Sequence, residues 1–267
     1  MRYFFYIGYN GFNYRGWQKL PQSHSVQIVI EKILSQVLKT NVAIVGCGRT
    51  DAQVHASQFF FHVDLDVTWG YDLLFRLNKN LPPDIAVFDI LPMEEQAHAR
   101  FDAIKRTYNY FIHTYKDPYL ATTSALYLGK HLKFDEIKKA VKLLPQYDDY
   151  RPFCKQLSQH RTTICKVTTA NFYVDESGDN LRFEVSANRF LSGMIRIIVK
   201  KLLLIGKGEL SVDEFEHYLI SKEIPKANLS AYAQGLYLSQ VKYPYLDLPS
   251  RSEFFNTLVH EKRWKEI

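Results

Sequence analysis

The strongest candidate for chemistry in this chain is the polar stretch GCGRTDAQVHA at residues 46–56. A carboxylate held beside an arginine stays ionised at neutral pH, because the opposite charge favours the charged form. Asp51, two residues after Arg49, could therefore act as a nucleophile or as an electrostatic stabiliser. On residue types alone, the stronger interpretation is a turn in which Asp51 caps the local backbone and Arg49 pairs with it.

Three other side chains, two of them in the same stretch, are weaker candidates for a functional role. We expect His55 to orient the loop through a hydrogen bond, and we expect Cys47 to be a small buried residue and not a nucleophile. Trp17 could stack on a base or pack at the edge of a domain, and the sequence leaves both possibilities open.

Charge and aromatic content are compatible with a nucleic-acid ligand. The 267 residues are 46% hydrophobic and 23% charged, which predicts a soluble globular protein of one large or two ordinary domains. Residues 1–100 hold 9 basic and 9 acidic side chains, whereas residues 101–267 hold 25 and 19, so the net charge of +6 lies in the second part. With 15% aromatic residues, the chain suits a polyanion whose bases can be stacked upon, although composition alone does not decide this.

Two groups of lysines could follow a phosphate backbone. They are Lys200, Lys201 and Lys207 in one helical segment, and Lys138, Lys139 and Lys142 in another. For any single lysine of the first group a solvated helix face is the favoured explanation, and for the second group surface solubility explains the lysines equally well.

Several classes of protein are excluded or disfavoured. No segment approaches the roughly 20 apolar residues of a membrane helix, and the first residues show no secretion signal. The three cysteines are widely spaced and odd in number, which indicates a reducing, cytoplasmic location. Because no CxxC, HExxH, P-loop or Rossmann glycine pattern occurs, we expect neither a metal nor a cofactor.

The first hundred residues predict the element order β-α-β-β-α-β. Hydrophobic spacing predicts strands over 2–9, 42–47, 59–63 and 85–91, and helices after Ser25 and over 71–80. This order is that of the ferredoxin-like split βαβ unit.

The remaining residues predict a similar order. Strands are expected over 107–114, 164–174, 181–185 and 236–243, and helices over 134–144, 191–205 and 211–220. Ser177-Gly178-Asp179 predicts a hairpin between the two middle strands. The sequence therefore predicts an α+β fold of two tandem ferredoxin-like halves, 1–100 and 101–245, followed by a tail over 246–267.

The stretch GRTDAQVHA at residues 48–56 resembles the GRTDAGVHA signature of the tRNA pseudouridine synthase A family. Further similar segments follow in order: YNGF at 9–12, GWQ at 16–18, SVQ at 25–27, Asn78 with Leu81-Pro82, ARFDA at 99–103, RTYNY at 106–110, Phe190-Leu191 with Met194-Ile195-Arg196, and GLYL at 235–238. The resemblance thus spans residues 3–244.

The resemblance implies a reaction and three catalytic residues. Uridine in tRNA would be isomerised to pseudouridine after base flipping, at family-typical positions 38–40 of the anticodon stem-loop. Asp51 would be the catalytic aspartate, Tyr108 would stack on the uracil and could take the proton from carbon 5, and Arg196 would pair with Asp51.

The same resemblance implies the surroundings of that site. Arg49 would fill the place of the flipped base or bind the RNA backbone, and Leu236 and Leu238 would be apolar walls. The sheets of the two halves would join into one mixed, largely antiparallel sheet, with helices on one face and a central cleft. The enzyme would work as a homodimer without a metal or cofactor.

Three positions depart from the resembled pattern. Gln53 replaces a glycine two residues after Asp51, Lys200 replaces a glycine after Arg196, and Tyr232 replaces a proline. If position 53 needs a positive φ, glutamine there carries a strain cost. These departures leave the target uridine open.

Two rival interpretations belong to other classes. A non-catalytic RNA-binding or RNA-chaperone protein could have kept the fold, and Gln53 is its best support. A metal-dependent nuclease would need a carboxylate or histidine cluster that the sequence does not display.

Overall fold

A computed structural model describes residues 1–66, 68–129, 131–225, 227–252, 255, 257–261 and 264–267. The chain divides into two compact units, of which the first comprises 1–104 with 237–256 and the second 105–236 with 257–267. The tail expected over 246–267 includes Glu253, Phe254, Asn256, Lys262 and Arg263, which lie outside the described residues. The division near residue 100 and the tail stay predictions.

Among the described residues, the first unit contains paired strands and two α-helices. Its elements are β1 (Arg2–Tyr9), α1 (Val26–Leu38), β2 (Val45–Gly46), β3 (His55–Asp64), α2 (Leu73–Asn80), β4 (Ile85–Met93) and, from Tyr237 onward, β9 (Leu236–Lys242). Strand β1 lies between β3 and β4 and is antiparallel to both, while β2 is antiparallel to β3. β9 runs parallel to β3 at its first residues, where His55 faces Tyr237 and Ala56 faces Leu238.

The core of this sheet is aromatic. Phe5 lies opposite Phe61, and their rings are 4.8 Å apart. Trp17 is 2% exposed and packs against Phe59 at 4.1 Å, so its ring belongs to the core and is not offered to a ligand. Burying rings of this size supplies much of the stability of such a sheet.

Helix α1 begins where the sequence predicts. Ser25 has an extended backbone, and its side chain accepts a hydrogen bond from the amide of Ile28, which satisfies one of the unpaired N–H groups of the first turn. The buried face of the helix includes Val26, Ile30 and Leu34.

Among the described residues, the second unit contains paired strands and three α-helices. Its elements are β5 (Lys105–His113), β6 (Ala125–Leu126), α3 (Phe134–Leu143), β7 (Val167–Asp175), β8 (Asn180–Ala187), α4 (Met194–Lys207), α5 (Val212–Ser221) and β10 (Trp264–Glu266). Strand β8 is antiparallel to β5 and β7, β10 is antiparallel to β7, and β6 is parallel to β5. The predicted hairpin at 177–179 is confirmed, with Gly178 at a φ of +76°.

The α+β class is confirmed, and one predicted strand is much shorter than expected. Strand β2 contains only Val45 and Gly46 of the segment 42–47, and after it the amide of Cys47 donates to the carbonyl of Phe60 in β3. The amide of Val42 instead donates to the hydroxyl of Ser35, and the amide of Ile44 donates to the carboxylate of Glu31. Side chains of α1 therefore bind the N–H groups that a longer strand would use. Among the described residues, no helix has the length and apolar character needed to cross a membrane.

Candidate active site

The loop that carries Asp51 joins β2 to β3 and is fixed through backbone atoms. Trp17 donates its amide to the carbonyl of Thr50 at 3.2 Å, and Gln53 donates its amide to the carbonyl of Tyr14 at 3.1 Å. Segments 14–17 and 50–53 therefore lie side by side. The two hydrogen bonds are formed by residues before and after Asp51, which is half-buried.

Side chains anchor the same loop on both sides of Asp51. The buried hydroxyls of Tyr9 and Thr50 are 2.9 Å apart, and Nδ1 of His55 accepts a hydrogen bond from the amide of Gly11 at 3.0 Å. The sulfur of the buried Cys47 accepts from the amide of Phe60. These contacts agree with structural roles for His55 and Cys47.

Two glycines make this close approach possible. A Cβ atom on Gly11 would lie 1.9 Å from the carbonyl oxygen of Val54. Gly16 has a φ of +88°, and a Cβ atom there would lie 2.4 Å from the carbonyl oxygen of Thr50. Larger residues at either position would push the loop of Asp51 away from its support.

Gln53 has a left-handed backbone. Its φ is +65°, a region that costs a residue with a Cβ atom about 1 kcal/mol. The side chain is exposed, so its bulk meets no neighbour that would force the loop to move. Position 53 therefore has the positive φ that favours glycine, and Gln53 carries the strain cost expected from the sequence.

The expected contact between Arg49 and Asp51 is absent. Arg49 is exposed, and its guanidinium makes no hydrogen bond or ion pair within the described part of the chain. The prediction that Arg49 pairs with Asp51 in this turn is therefore wrong. Arg49 instead presents its charge to solvent beside the loop.

In the second unit, Tyr108 lies in the middle of β5, opposite Val185 of β8. The residue is 9% exposed, and the edge of one ring meets the face of the other between Tyr108 and Phe190, 5.2 Å apart. Tyr110 shares this face of the strand, because side chains two residues apart point to the same side.

Arg196 lies in the first turn of α4, and two hydrogen bonds join it to Ala231. Its Nε donates to the carbonyl oxygen of Ala231 at 2.8 Å, and the amide of Ala231 donates to the carbonyl oxygen of Arg196 at 2.9 Å. This reciprocal pair of hydrogen bonds fixes the plane of the guanidinium.

The predicted residues divide between the two units. Arg49, Asp51 and Leu238 belong to the first unit, where Leu238 faces Ala56 just after the Asp51 loop. The second unit holds Tyr108, Arg196 and Leu236, and both leucines are buried.

Two of the lysines considered for phosphate contact have partners within the protein, and for Lys201 burial also excludes the solvated helix face. Lys201 is 5% exposed, its Nζ lies 5.0 Å from the ring centre of Tyr218, and burial lowers its pKa. Lys139 is exposed but forms an ion pair with Glu136 at 2.7 Å. Neither lysine is an unpaired surface cation.

A different group of cations was missed by sequence reasoning. We call Lys155, Arg161, Lys166 and Arg189 the cation cluster; within the described residues none of them forms an ion pair with a carboxylate.

Hydrogen bonds hold the two segments of the cation cluster together. The amide of Lys155 donates to the carbonyl of Ser192, the amide of Lys166 donates to Asn188, and a terminal nitrogen of Arg189 lies 3.4 Å from Nδ1 of His160. No spacing rule could reveal this group, because its members come from loops.

No group of three or more histidine, cysteine or acidic side chains in the described chain could hold a metal ion.

The chain matches known proteins over most of its length. A family model described as tRNA pseudouridine synthase matches residues 141–244. A protein named tRNA pseudouridine synthase A from Parabacteroides distasonis is 42% identical over 247 residues, which are 91% of this chain and 96% of that protein. Proteins of the same name from Porphyromonas gingivalis and Aeromonas hydrophila are 39% and 36% identical, over 91% and 89% of this chain and 97% and 88% of their own lengths. The chain belongs to the tRNA pseudouridine synthase A family.

Proposed function

We propose that this chain isomerises uridine to pseudouridine in the anticodon stem-loop of tRNA, at positions 38–40, with Asp51 as the catalytic aspartate. The observation that carries the proposal is 42% identity to a tRNA pseudouridine synthase A over 91% of the chain, together with the presence of Asp51, Tyr108 and Arg196 at the matching motif positions.

The reaction needs no external oxidant, reductant or phosphate donor. The bond between N1 and the sugar carbon C1′ breaks, the uracil turns, and C5 bonds to C1′ in its place. N1 gains a proton and C5 releases one, so atoms and electrons balance. Asp51 either adds to the sugar or base or assists the departure of the base.

Roles for the other residues follow from the same proposal. Tyr108 stacks on the extruded uracil and takes the proton from C5, and Arg196 pairs with the carboxylate of Asp51 and orients it. Leu236 and Leu238 are apolar walls of the uracil pocket, and Arg49 binds backbone or replaces the flipped base. We also propose the homodimer, the cytoplasmic location, and two diverged βαββαβ copies whose sheets join around a cleft.

The cation cluster is the proposed contact with the RNA backbone. Its four side chains are basic and lack carboxylate partners in the described structure, and they come from segments that adjoin Phe190, the ring neighbour of Tyr108. Phosphates would replace the counterions that such a surface otherwise attracts.

Tritium release from tRNA labelled at C5 of uridine tests the proposal. We expect the wild-type chain to release tritium and Asp51→Asn to release it at least about a thousandfold more slowly, while tRNA affinity stays within about threefold. A retained affinity for tRNA would show that Asp51→Asn is folded, so that the loss of rate reflects the chemistry.

Two outcomes would contradict the proposal. A wild-type chain that binds tRNA but releases no tritium would support the non-catalytic RNA-binding interpretation. An Asp51→Asn variant with the wild-type rate would remove Asp51 from the chemistry.

A further inference from the structure

Two tyrosine hydroxyls hold the backbone next to Arg196. Tyr110 donates its hydroxyl to the carbonyl oxygen of Tyr232 at 2.7 Å, and the hydroxyl of Tyr127 accepts the amide N–H of Tyr232 at 3.1 Å. We call Tyr110 and Tyr127 the tyrosine pair. Tyr110 is fully buried, and the ring of Tyr127 lies 5.1 Å from that of Tyr232.

One peptide group connects Tyr127 to Arg196. The amide N–H of Tyr232 and the carbonyl of Ala231 belong to the same peptide group, which is planar. Its N–H binds Tyr127, and its oxygen accepts the hydrogen bond from Nε of Arg196 at 2.8 Å. The hydroxyl of Tyr127 therefore orients the plane of this peptide group, and with it the carbonyl oxygen that Arg196 binds.

Tyr232 stands where the resembled family has a proline, and its backbone keeps the conformation of one. Its φ of −58° and ψ of 140° are values that proline adopts readily. A proline has no N–H and is held by its own ring, whereas Tyr232 has a free torsion about φ and an N–H that needs an acceptor. In this chain the tyrosine pair supplies both the acceptor and the restraint.

We propose that Tyr110 and Tyr127 are positioning residues for Arg196. Tyr127 acts on the peptide group between Ala231 and Tyr232, and Tyr110 holds the carbonyl of Tyr232, which begins the next peptide group. The guanidinium has five N–H donors, and the one on Nε is directed to Ala231, so the orientation of the terminal nitrogens depends on the peptide group between Ala231 and Tyr232. This inference rests on the proposed function, in which Arg196 orients the catalytic carboxylate.

The first test compares kcat with KM for tRNA in the tritium assay. Tyr127→Phe and Tyr110→Phe should lower kcat about tenfold, because a misplaced catalytic group costs rate, and should leave KM within about twofold. Tyr150→Phe is the matched control, since the buried Tyr150 also donates its hydroxyl to a backbone carbonyl of the second unit, that of Leu144. We expect its kcat to stay within about twofold of the wild-type value.

The second test is rescue by proline. Tyr232→Pro removes the N–H that needs Tyr127 and fixes φ by the ring, so adding it to Tyr127→Phe should return kcat to within about threefold of Tyr232→Pro alone. A merely structural role for the Tyr127 hydroxyl would leave the double variant as slow as Tyr127→Phe. The half-buried Tyr127 keeps this test available if Tyr110→Phe fails to fold.

The third test is a double-mutant cycle that separates this inference from the proposed function. Arg196→Lys lacks Nε, so Tyr127→Phe should slow it no further. If Tyr127→Phe lowers kcat by the same factor in Arg196→Lys as in the wild-type chain, the positioning role is overturned and the role of Arg196 is retained. A Tyr127→Phe variant with wild-type kcat would have the same meaning. An Arg196→Lys variant with wild-type kcat would overturn the assigned role of Arg196 and, with it, the positioning role.

Discussion

In the first unit the loop of Asp51 is held by backbone atoms of residues 14–17, whereas in the second unit Arg196 is held by a carbonyl that tyrosine hydroxyls position. Backbone contact at this range restricts residue type, because only glycine avoids a clash at positions 11 and 16. A hydroxyl contact restricts the residue type less, because the same peptide group can also be held in another way, for example by a proline ring. The support of the Asp51 loop therefore comes from segments that resemble the family pattern, whereas the support of Arg196 includes a departure from that pattern, Tyr232.

Charge differs between the same two regions. Residues 1–100 have as many acidic as basic side chains, while the cation cluster of the second unit lacks carboxylate partners among the described residues. The first unit thus carries the proposed carboxylate chemistry, and the second supplies the proposed attraction for RNA. Changes that affect folding, binding and local strain should distinguish the two regions.

The largest effect is expected from Gly16→Ala in the first unit. The added Cβ would lie 2.4 Å from the carbonyl oxygen of Thr50, and the φ of +88° disfavours any residue other than glycine. The free energy of unfolding, measured in urea, should fall by about 3 kcal/mol, because strain and overpacking add.

Gly48→Ala is the control within the same motif. A Cβ atom on Gly48 would meet no atom within 4 Å, so its free energy of unfolding should stay within about 0.5 kcal/mol of wild type. Equal losses in the two variants would show that backbone contact does not distinguish this loop.

A smaller effect is expected from Arg161→Gln in the cation cluster. Removing one phosphate contact should weaken tRNA binding by roughly threefold to tenfold and reduce the slope of log affinity against log salt by about 1. Titrations at several salt concentrations measure both quantities.

Lys139→Gln is the matched change outside the cluster. Lys139 is exposed like Arg161, but Glu136 neutralises it, so affinity should change less than about twofold. A salt slope that falls equally in both variants would mean that net charge, and not the cation cluster, attracts the RNA.

The sequence predicts most elements because their hydrophobic spacing is regular, and it misses features that depend on side-chain hydrogen bonds. Nothing in the spacing of 42–47 shows that Glu31 and Ser35 of α1 will take the amides of Ile44 and Val42. Tyr127 lies just after the short strand β6, so its contact with Tyr232 has no signal in the sequence.

One error could have been avoided from the sequence. Lys201 follows Met194, Ile197 and Ile198 at helical spacing and precedes Ile205 by one turn, which places it on the apolar face of α4. Tyr110, two residues after Tyr108 in a strand, likewise had a readable signal as a neighbour on the same face.

The smallest effect is expected from Gln53→Gly, which gives the loop the glycine of the resembled motif. Relief of the left-handed strain is worth about 1 kcal/mol, and the greater freedom of glycine in the unfolded chain offsets about 0.4–1 kcal/mol of it. The free energy of unfolding should therefore rise by no more than about 0.6 kcal/mol. Gln53→Val should lower it by about 1 kcal/mol, because a β-branched residue tolerates a φ near +65° poorly.

The rate of Gln53→Gly decides what this departure means for function. Since Gln53 already has the backbone that glycine would adopt and its side chain is exposed, tritium release should change less than about threefold. An increase of a hundredfold or more would instead show that glutamine holds the Asp51 loop out of its productive geometry. The Asp51 loop would then limit the wild-type rate, and the backbone contacts of residues 14–17 would not be sufficient to prepare the carboxylate.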